Sequence, residues 1–87
     1  MPKLVMKFGG TSVSDVDRIA SAASKVLAEV EKGFDIIVIV SAMAGETNRL
    51  VSLVNNVSSL YDAREYDAIV SSGENATAGL MALTLQN

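Results

Sequence analysis

The sequence predicts an α/β fold built on a parallel sheet, and two apolar segments separated by a long amphipathic segment support this prediction. Residues 4–8 form a short apolar run that stops at Gly9-Gly10. Residues 36–40 are five β-branched apolar residues without alternation, which is typical of a strand covered on both faces. Between these runs, apolar residues recur every three or four positions over residues 16–30, as on a helix. Strand, helix and strand in this order predict a βαβ unit with a right-handed crossover.

The first helix is predicted to begin at Ser14 and to end at Lys32-Gly33. Ser14 is a residue type that favours the N-cap position, and Asp15 and Asp17 place negative charge in the first turn, where the helix dipole favours it. At the other end, Lys32 supplies a cation and Gly33 suits the left-handed conformation that often follows a helix. These signals place a single long helix between the two strands.

The segment after the second strand is predicted to be mainly helical. A helix over about residues 47–57 directs one apolar set inward, namely Leu50, Val51, Val54 and Val57. Residues 58–61 are expected to connect it to a further segment that becomes helical again from Asp62. Within that segment, residues 66–70 fit either a helix or a strand, because periodicity alone does not separate the two over so short a stretch.

Ser72-Gly73 is predicted to interrupt the helical pattern, and a last helix is predicted to follow it. Ser71 and Glu74 have the spacing of a capping box, in which Ser71 caps the helix and Glu74 bonds back to it. The helix that follows is defined by one side with Ala76, Leu80, Leu83 and Thr84, and the small residues Ala78, Gly79 and Ala82 are predicted to allow close packing.

The composition excludes several classes of site. The 87 residues contain no cysteine and no histidine, which excludes disulfides, thiolate ligands, cysteine nucleophiles and Ser-His catalysis. A formal net charge of −3 with scattered basic residues argues against nucleic-acid binding. No signal peptide or apolar run long enough for a membrane span is present, so a cytoplasmic location is expected. Any chemistry must therefore use carboxylates, lysine, hydroxyls, amides and backbone dipoles.

The loop after the first strand is a candidate phosphate site. Lys7 supplies a point charge, Gly9 and Gly10 allow an oxygen to approach backbone N–H groups, and Thr11 and Ser12 add hydroxyl donors. The spacing matches neither a Walker A loop nor a dinucleotide-binding loop. The alternative is a strand followed by a plain Gly-Gly turn, with Lys7 reaching into solvent.

A second loop, residues 41–48, follows the second strand and is expected at the same sheet edge, where open parallel sheets bind ligands. Ser41 either donates to phosphate or simply ends the strand. Thr47 is either a helix N-cap or a substrate contact. Glu74 is either the capping residue already described or a carboxylate that binds a substrate ammonium group.

Three blocks of the chain resemble the aspartate kinases of the amino-acid kinase family, and the resemblance covers essentially the whole sequence. The blocks are residues 5–13, 40–48 and 64–74, the last with Arg64-Glu65-Tyr66-Asp67 and Ser72-Gly73-Glu74. The resemblance implies a three-layer αβα fold, Rossmann-like and mainly parallel. It also implies ATP-dependent phosphorylation of the L-aspartate side chain to 4-phospho-L-aspartate, the first step of lysine, threonine and methionine synthesis.

The resemblance further implies roles for individual residues. Lys7 would be catalytic, and the ATP phosphates would be bound by Lys7, Phe8, Gly9, Gly10 and Ser41. Aspartate would be bound by Thr11, Ser12, Thr47 and Glu74, with Glu74 on the ammonium group. ATP would arrive with Mg²⁺ as a co-substrate, and neither a metal ligand among these residues nor a tightly bound cofactor is expected.

Residues 1–87 are expected to be the N-terminal portion of a larger catalytic domain. Two strands with helices leave bare sheet edges, and a core this small is marginal in stability. The resemblance implies that the nucleotide half and the regulatory domains lie beyond residue 87, that the full-length protein is a homo-oligomer, and that the isolated chain is inactive. The alternatives are a sibling kinase acting on another carboxylate and a non-catalytic phosphate-binding or assembly fragment.

Overall fold

The computed structural model describes residues 2–58, 60 and 62–87. Its elements are β1 (Lys3–Phe8), a 3₁₀ turn (Gly10–Val13), α1 (Val16–Glu31), β2 (Asp35–Val40), α2 (Glu46–Val57) and α3 (Ala63–Gln86). Among these described residues, no helix combines the length and hydropathy needed to cross a bilayer. The element order confirms the predicted α/β class.

β1 and β2 pair in parallel, with Lys3 opposite Asp35 and Phe8 opposite Val40. Each strand begins one residue earlier than predicted, at the charged residue that directly precedes the apolar run. Because α1 connects the two strands, the predicted βαβ unit is confirmed. The carboxyl ends of both strands therefore lie at one edge of the sheet.

The N-cap of α1 is Asp15, so the prediction of Ser14 is wrong. The Asp15 carboxylate accepts the Arg18 backbone N–H at 2.8 Å, and Asp15 has the extended backbone of a capping residue. Ser14 instead ends the 3₁₀ turn with helical dihedral angles (φ −69°, ψ −22°). The predicted end of the helix is confirmed, because Lys32 is the C-cap and Gly33 follows it with φ +96°.

Replacing Asp15 with alanine is expected to lower the free energy of unfolding by about 1 kcal/mol, because it removes the side-chain acceptor at the start of α1. The matched variant Ser14→Ala should change it by less than about 0.5 kcal/mol. Urea denaturation followed by circular dichroism measures both. Equal losses in the two variants would show that Asp15 does not stabilise the helix as its N-cap.

The core lies on one face of the sheet, where α1 and α3 pack together. Its buried members are Phe8, Val13, Ile19, Ala22, Ala23, Val26 and Met81. The opposite face is open, with Val5 58% and Ile37 53% exposed. The prediction that β2 is covered on both faces is therefore wrong for the described residues, because both covering helices lie on the same side.

α2 begins at Glu46, one residue before the predicted start, and its N-cap is Gly45 with φ +83°. Thr47 therefore lies inside the first turn and does not cap the helix. Leu50 and Val54 are buried as predicted, whereas Val57 is 88% exposed and does not belong to the inner face. Val57 is the last helical residue, so it lies beyond the packed part of α2.

α3 is one continuous helix, and its N-cap Asp62 accepts the Arg64 backbone N–H at 2.8 Å. Residues 66–70 are thus helical. Neither the break at Ser72-Gly73 nor the Ser71–Glu74 capping box forms. The hydroxyls of Ser71 and Ser72 instead donate to main-chain carbonyls three residues earlier, within the helix. Within the predicted connection over residues 58–61, Ser59 and Tyr61 lie outside the described residues.

The inner face of α3 also differs from the prediction. Gly73, Thr77 and Met81 are the buried residues, whereas Leu83 is 62% exposed. Because the helix runs through Gly73 without a break, its buried face begins at Gly73, about one turn before the predicted start at Ala76, and extends to Met81. Ala78 and Ala82 do not pack closely but line a cavity of about 210 Å³ between α3 and β2.

Candidate active site

The loops after β1 and β2 contact each other, as the shared sheet edge predicts. The Ser41 backbone N–H donates to the Phe8 carbonyl oxygen at 3.2 Å. A Cβ atom placed on Gly10 would lie 3.0 Å from the Ala42 carbonyl oxygen and 3.5 Å from the Ala44 Cα. Glycine at position 10 therefore allows the two backbones to approach closely.

α3 reaches the same loop from the other side. A Cβ atom placed on Gly73 would lie 3.1 Å from the Ala42 Cβ, 3.3 Å from the Glu46 Cγ and 3.4 Å from the Leu50 Cδ1. Ala42 is itself buried. The glycine predicted to break the helix thus lets the helix pack against the second loop and the start of α2.

Ala42 is consequently the point at which three separate sequence segments meet. Its carbonyl oxygen faces Gly10 and its methyl group faces Gly73, while the loop that contains it continues into α2. Contacts this close fix the relative positions of the three segments, because packed backbones do not yield easily. The residues next to these contacts are therefore held near one another.

Lys7 is the second-last residue of β1 and is exposed. It lies opposite Ile39 on the open face of the sheet, together with Val5 and Ile37. In the part of the chain that the structure describes, the Lys7 ammonium has no ion-pair partner. Lys7 thus presents an uncompensated positive charge at the carboxyl edge of the sheet.

Phe8 points to the opposite face, where its side chain belongs to the buried core. Gly9 has an extended backbone (φ −76°, ψ 172°), and its carbonyl accepts the Ser12 N–H at 3.0 Å. A Cβ atom on Gly9 would meet no atom within 4 Å, so the space beside this residue is open. Thr11, in the same 3₁₀ turn, is exposed.

Thr47 and Glu74 are both exposed, and each adjoins a residue of the Ala42 contact. Thr47 follows Glu46 and Glu74 follows Gly73. The Glu46 side chain packs against Gly73. The structure therefore brings the α2 and α3 candidates to neighbouring places. It gives Glu74 no ion-pair partner within residues 2–58, 60 and 62–87, which leaves its carboxylate available to a cation.

Glu46 was not among the residues predicted for the site, yet it lies within it. Arg49 donates to the Glu46 carboxylate, with the Nε–Oε2 distance at 3.1 Å, and this hydrogen bond holds the pKa of Glu46 below its ordinary value. The i, i+3 spacing of the two residues in the first turn of a helix is the signal that predicts such a pair. Glu46 is therefore ionised at neutral pH and already neutralised by Arg49.

Ser12 lines a small polar cavity on the α1 side of the sheet, with a volume of about 80 Å³. Two basic residues of α1, Arg18 and Lys25, line it as well. The sequence pattern does not indicate Arg18 and Lys25 as a pair, because neither has a neighbouring basic residue. Their separation of seven residues, two turns of a helix, is the pattern that places them on one face.

The comparison with protein families decides how this arrangement is to be classified. A profile described as the amino acid kinase family matches residues 2–87. The chain belongs to the amino acid kinase family. The two glycine contacts and the parallel strand pair described above are thus features of a member of this family.

Individual amino acid kinases show the same relationship in more detail. The chain is 53% identical over 89 residues to the aspartokinase of Rickettsia felis, covering 99% of this chain and 22% of that protein. It is 48% identical over 85 residues to the aspartokinase of Pseudomonas aeruginosa, covering 98% of this chain and 21% of that protein. The chain therefore spans about a fifth of the length of these relatives.

A solved structure shares the fold. The crystal structure of the aspartate kinase from Synechocystis superposes with a TM-score of 0.93 and is 40% identical, covering 99% of this chain and 15% of that one. The α/β architecture seen here is thus an amino acid kinase fold.

Proposed function

We propose that residues 1–87 are the N-terminal portion of the catalytic domain of an aspartate kinase. This enzyme would use ATP to phosphorylate the side-chain carboxylate of L-aspartate to 4-phospho-L-aspartate, the first step of lysine, threonine and methionine synthesis. The observation that carries the proposal is the convergence of three segments on Ala42. The similarity to several aspartokinases along the whole chain supports it.

The phosphate end of the site would be formed by Lys7, Gly9, Gly10 and Ser41. The free Lys7 ammonium would neutralise charge on the transferred phosphoryl group, and the open space at Gly9 leaves room for a phosphate oxygen. The Phe8 side chain is buried in the core, so a contribution from Phe8 would come through its backbone.

The aspartate end would be formed by Glu74 and Thr47, with Thr11 and Ser12 between the two substrates. The Glu74 carboxylate would bind the substrate ammonium group. Because a carboxylate with an ordinary pKa of about 4 is already ionised at neutral pH, the acceptor needs no general base. The absence of histidine from the chain is therefore compatible with this reaction.

Mg²⁺ would enter with ATP as part of the co-substrate. Across residues 2–58, 60 and 62–87, no three acidic side chains cluster closely enough to hold a metal ion. The nucleotide phosphates would provide oxygen ligands for Mg²⁺, and Mg²⁺ would add charge neutralisation to that of Lys7. We further propose a cytoplasmic, homo-oligomeric full-length enzyme.

A chimaeric aspartokinase tests the proposed function. Residues 1–87 would replace the matching segment of the Pseudomonas aeruginosa aspartokinase, and aspartate-dependent release of ADP would be measured. We expect turnover with L-aspartate and none with glutamate or acetylglutamate, and no turnover by the isolated 87-residue chain. A folded chimaera that phosphorylates no carboxylate would contradict the proposal, and one that prefers another carboxylate would assign a sibling activity.

In this chimaera, Glu74→Gln is expected to raise the KM for aspartate about fivefold, with kcat changed less. The amide oxygen still accepts a hydrogen bond from the ammonium group, but the charge is lost. Asp67→Asn, a change at another exposed carboxylate two turns earlier on α3, is the control and should leave KM unchanged. A lower melting temperature with an unchanged KM would assign Glu74 a purely structural role.

A further inference from the structure

The small cavity beside the first loop is lined by side chains that suit an anion. It lies past the end of β1, between the 3₁₀ turn and α1, and has a volume of about 80 Å³. Its lining residues are Phe8, Ser12, Arg18, Ser21, Ala22 and Lys25. Two basic side chains and two hydroxyl side chains thus line a space large enough for one small group.

Among residues 2–58, 60 and 62–87, neither Arg18 nor Lys25 forms an ion pair with an acidic side chain. The three ion pairs among the described residues involve Lys32, Arg49 and Arg64. Of the two acidic residues just before Arg18, Asp15 accepts the Arg18 backbone N–H, and Asp17 is in none of these ion pairs. Arg18 and Lys25 are thus uncompensated although the chain as a whole has a net charge of −3.

The cavity is preorganised because α1 is firmly anchored. The opposite side of this helix contributes Ile19, Ala23 and Val26 to the core, all nearly fully buried. Arg18, Ser21 and Lys25 are separated by three and four residues, which places them on one face of the helix. Their backbone positions are therefore set by folding and need no rearrangement on binding.

This cavity is separate from the phosphate end of the proposed active site. Successive residues of a strand point to opposite faces of a sheet. Phe8 lines the cavity, so Lys7, its neighbour in β1, points to the other face. An anion held by Lys7 would therefore not occupy the space between Arg18 and Lys25.

We propose that the Arg18–Lys25 cavity is a second anion site that binds a phosphate group, either as inorganic phosphate or as the phosphate of a small monoester. A phosphate group carries between one and two negative charges at neutral pH and offers at least three acceptor oxygens. Arg18 can donate in a bidentate manner, Lys25 supplies a point charge, and the serine hydroxyls supply short donors. The site shares Ser12 with the proposed active site, but it goes beyond the proposed transfer reaction because it requires neither Lys7 nor Glu74.

Titration of the ¹⁵N-labelled chain tests the site. Inorganic phosphate and methyl phosphate would be added separately at about pH 7.5, where phosphate is mostly dianionic, and chloride would match the ionic strength. We expect saturable amide shifts confined to the segments around Ser12, Ser21 and Lys25. Saturation by methyl phosphate as well as by inorganic phosphate would indicate a monoester site, and saturation by inorganic phosphate alone would indicate a site for the free ion.

The double variant Arg18→Gln/Lys25→Gln should weaken phosphate binding at least about tenfold, since two charge-assisted hydrogen-bond donors are lost. Its control, Lys32→Gln/Arg64→Gln, removes the same charge outside the cavity and should bind as the unchanged chain does. Circular dichroism verifies that both variants fold; both double changes are at exposed positions. Unsaturable or dispersed shifts, equal weakening by both double variants, or tighter saturation by L-aspartate than by phosphate would each overturn the proposal.

Discussion

Replacing Lys7 with alanine is expected to lower kcat of the chimaeric aspartokinase by at least about a hundredfold, the scale on which removing a preorganised electrostatic group acts. Lys7 is exposed, has no partner among the described residues, and stands at the carboxyl edge of the parallel strands. Its removal should therefore affect charge stabilisation in the transition state and leave the core intact. Steady-state kinetics with ATP and aspartate measures the change.

Lys3→Ala is the matched control for this experiment. Lys3 lies on the same strand and the same exposed face, but four residues from Lys7 at the amino end. It should leave kcat within about twofold, a change too small to mark a catalytic group. A loss of less than about tenfold for Lys7→Ala, equivalent to about 1.4 kcal/mol of barrier, would remove Lys7 from a central catalytic role.

Gly73→Ala is expected to lower the free energy of unfolding by about 2 kcal/mol, although alanine is the better helix former. The added methyl group would lie 3.1 Å from the Ala42 Cβ and press on two side chains of α2. Gly79, six residues later on the same helix, has no atom within 4 Å of an added Cβ. Gly79→Ala should therefore stabilise the protein by about 0.5–1 kcal/mol.

Urea denaturation of the two glycine variants measures these opposite effects. Ala42→Gly combined with Gly73→Ala should recover part of the loss, because it removes the atom that the new methyl group meets first. If both glycine variants stabilised the protein, α3 would not pack against the second loop as closely as described. The same outcome would weaken the case that this contact positions Thr47 and Glu74.

Local signals predicted the elements that depend on local physics. The two strands and α1 follow from apolar runs and periodicity, which reflect burial of one side of each element. The cap of α1 was misplaced by one residue because Ser14 and Asp15 are both good caps. Asp15 is the N-cap because the 3₁₀ turn holds Ser14 in a helical conformation, whereas a capping residue is extended.

α3 shows why local signals fail when tertiary contacts dominate. Glycine costs about 1 kcal/mol in a helix, so Ser72-Gly73 predicts a break. The glycine is retained within the helix because its lack of a side chain allows α3 to contact Ala42. The buried stripe consequently runs through Gly73, Thr77 and Met81 and leaves Leu83 exposed.

The sequence by itself determined the α/β class, the βαβ unit and the shared sheet edge of the first two loops, because strand and helix periodicities are local properties. It also indicated the candidate residues of the site other than Glu46. Only the tertiary structure decided that Lys7 faces the open side of the sheet and that Gly10 and Gly73 approach Ala42 from two sides. It also decided that Arg18 and Lys25 line one cavity. These relations depend on packing between segments distant in sequence, which no local pattern specifies.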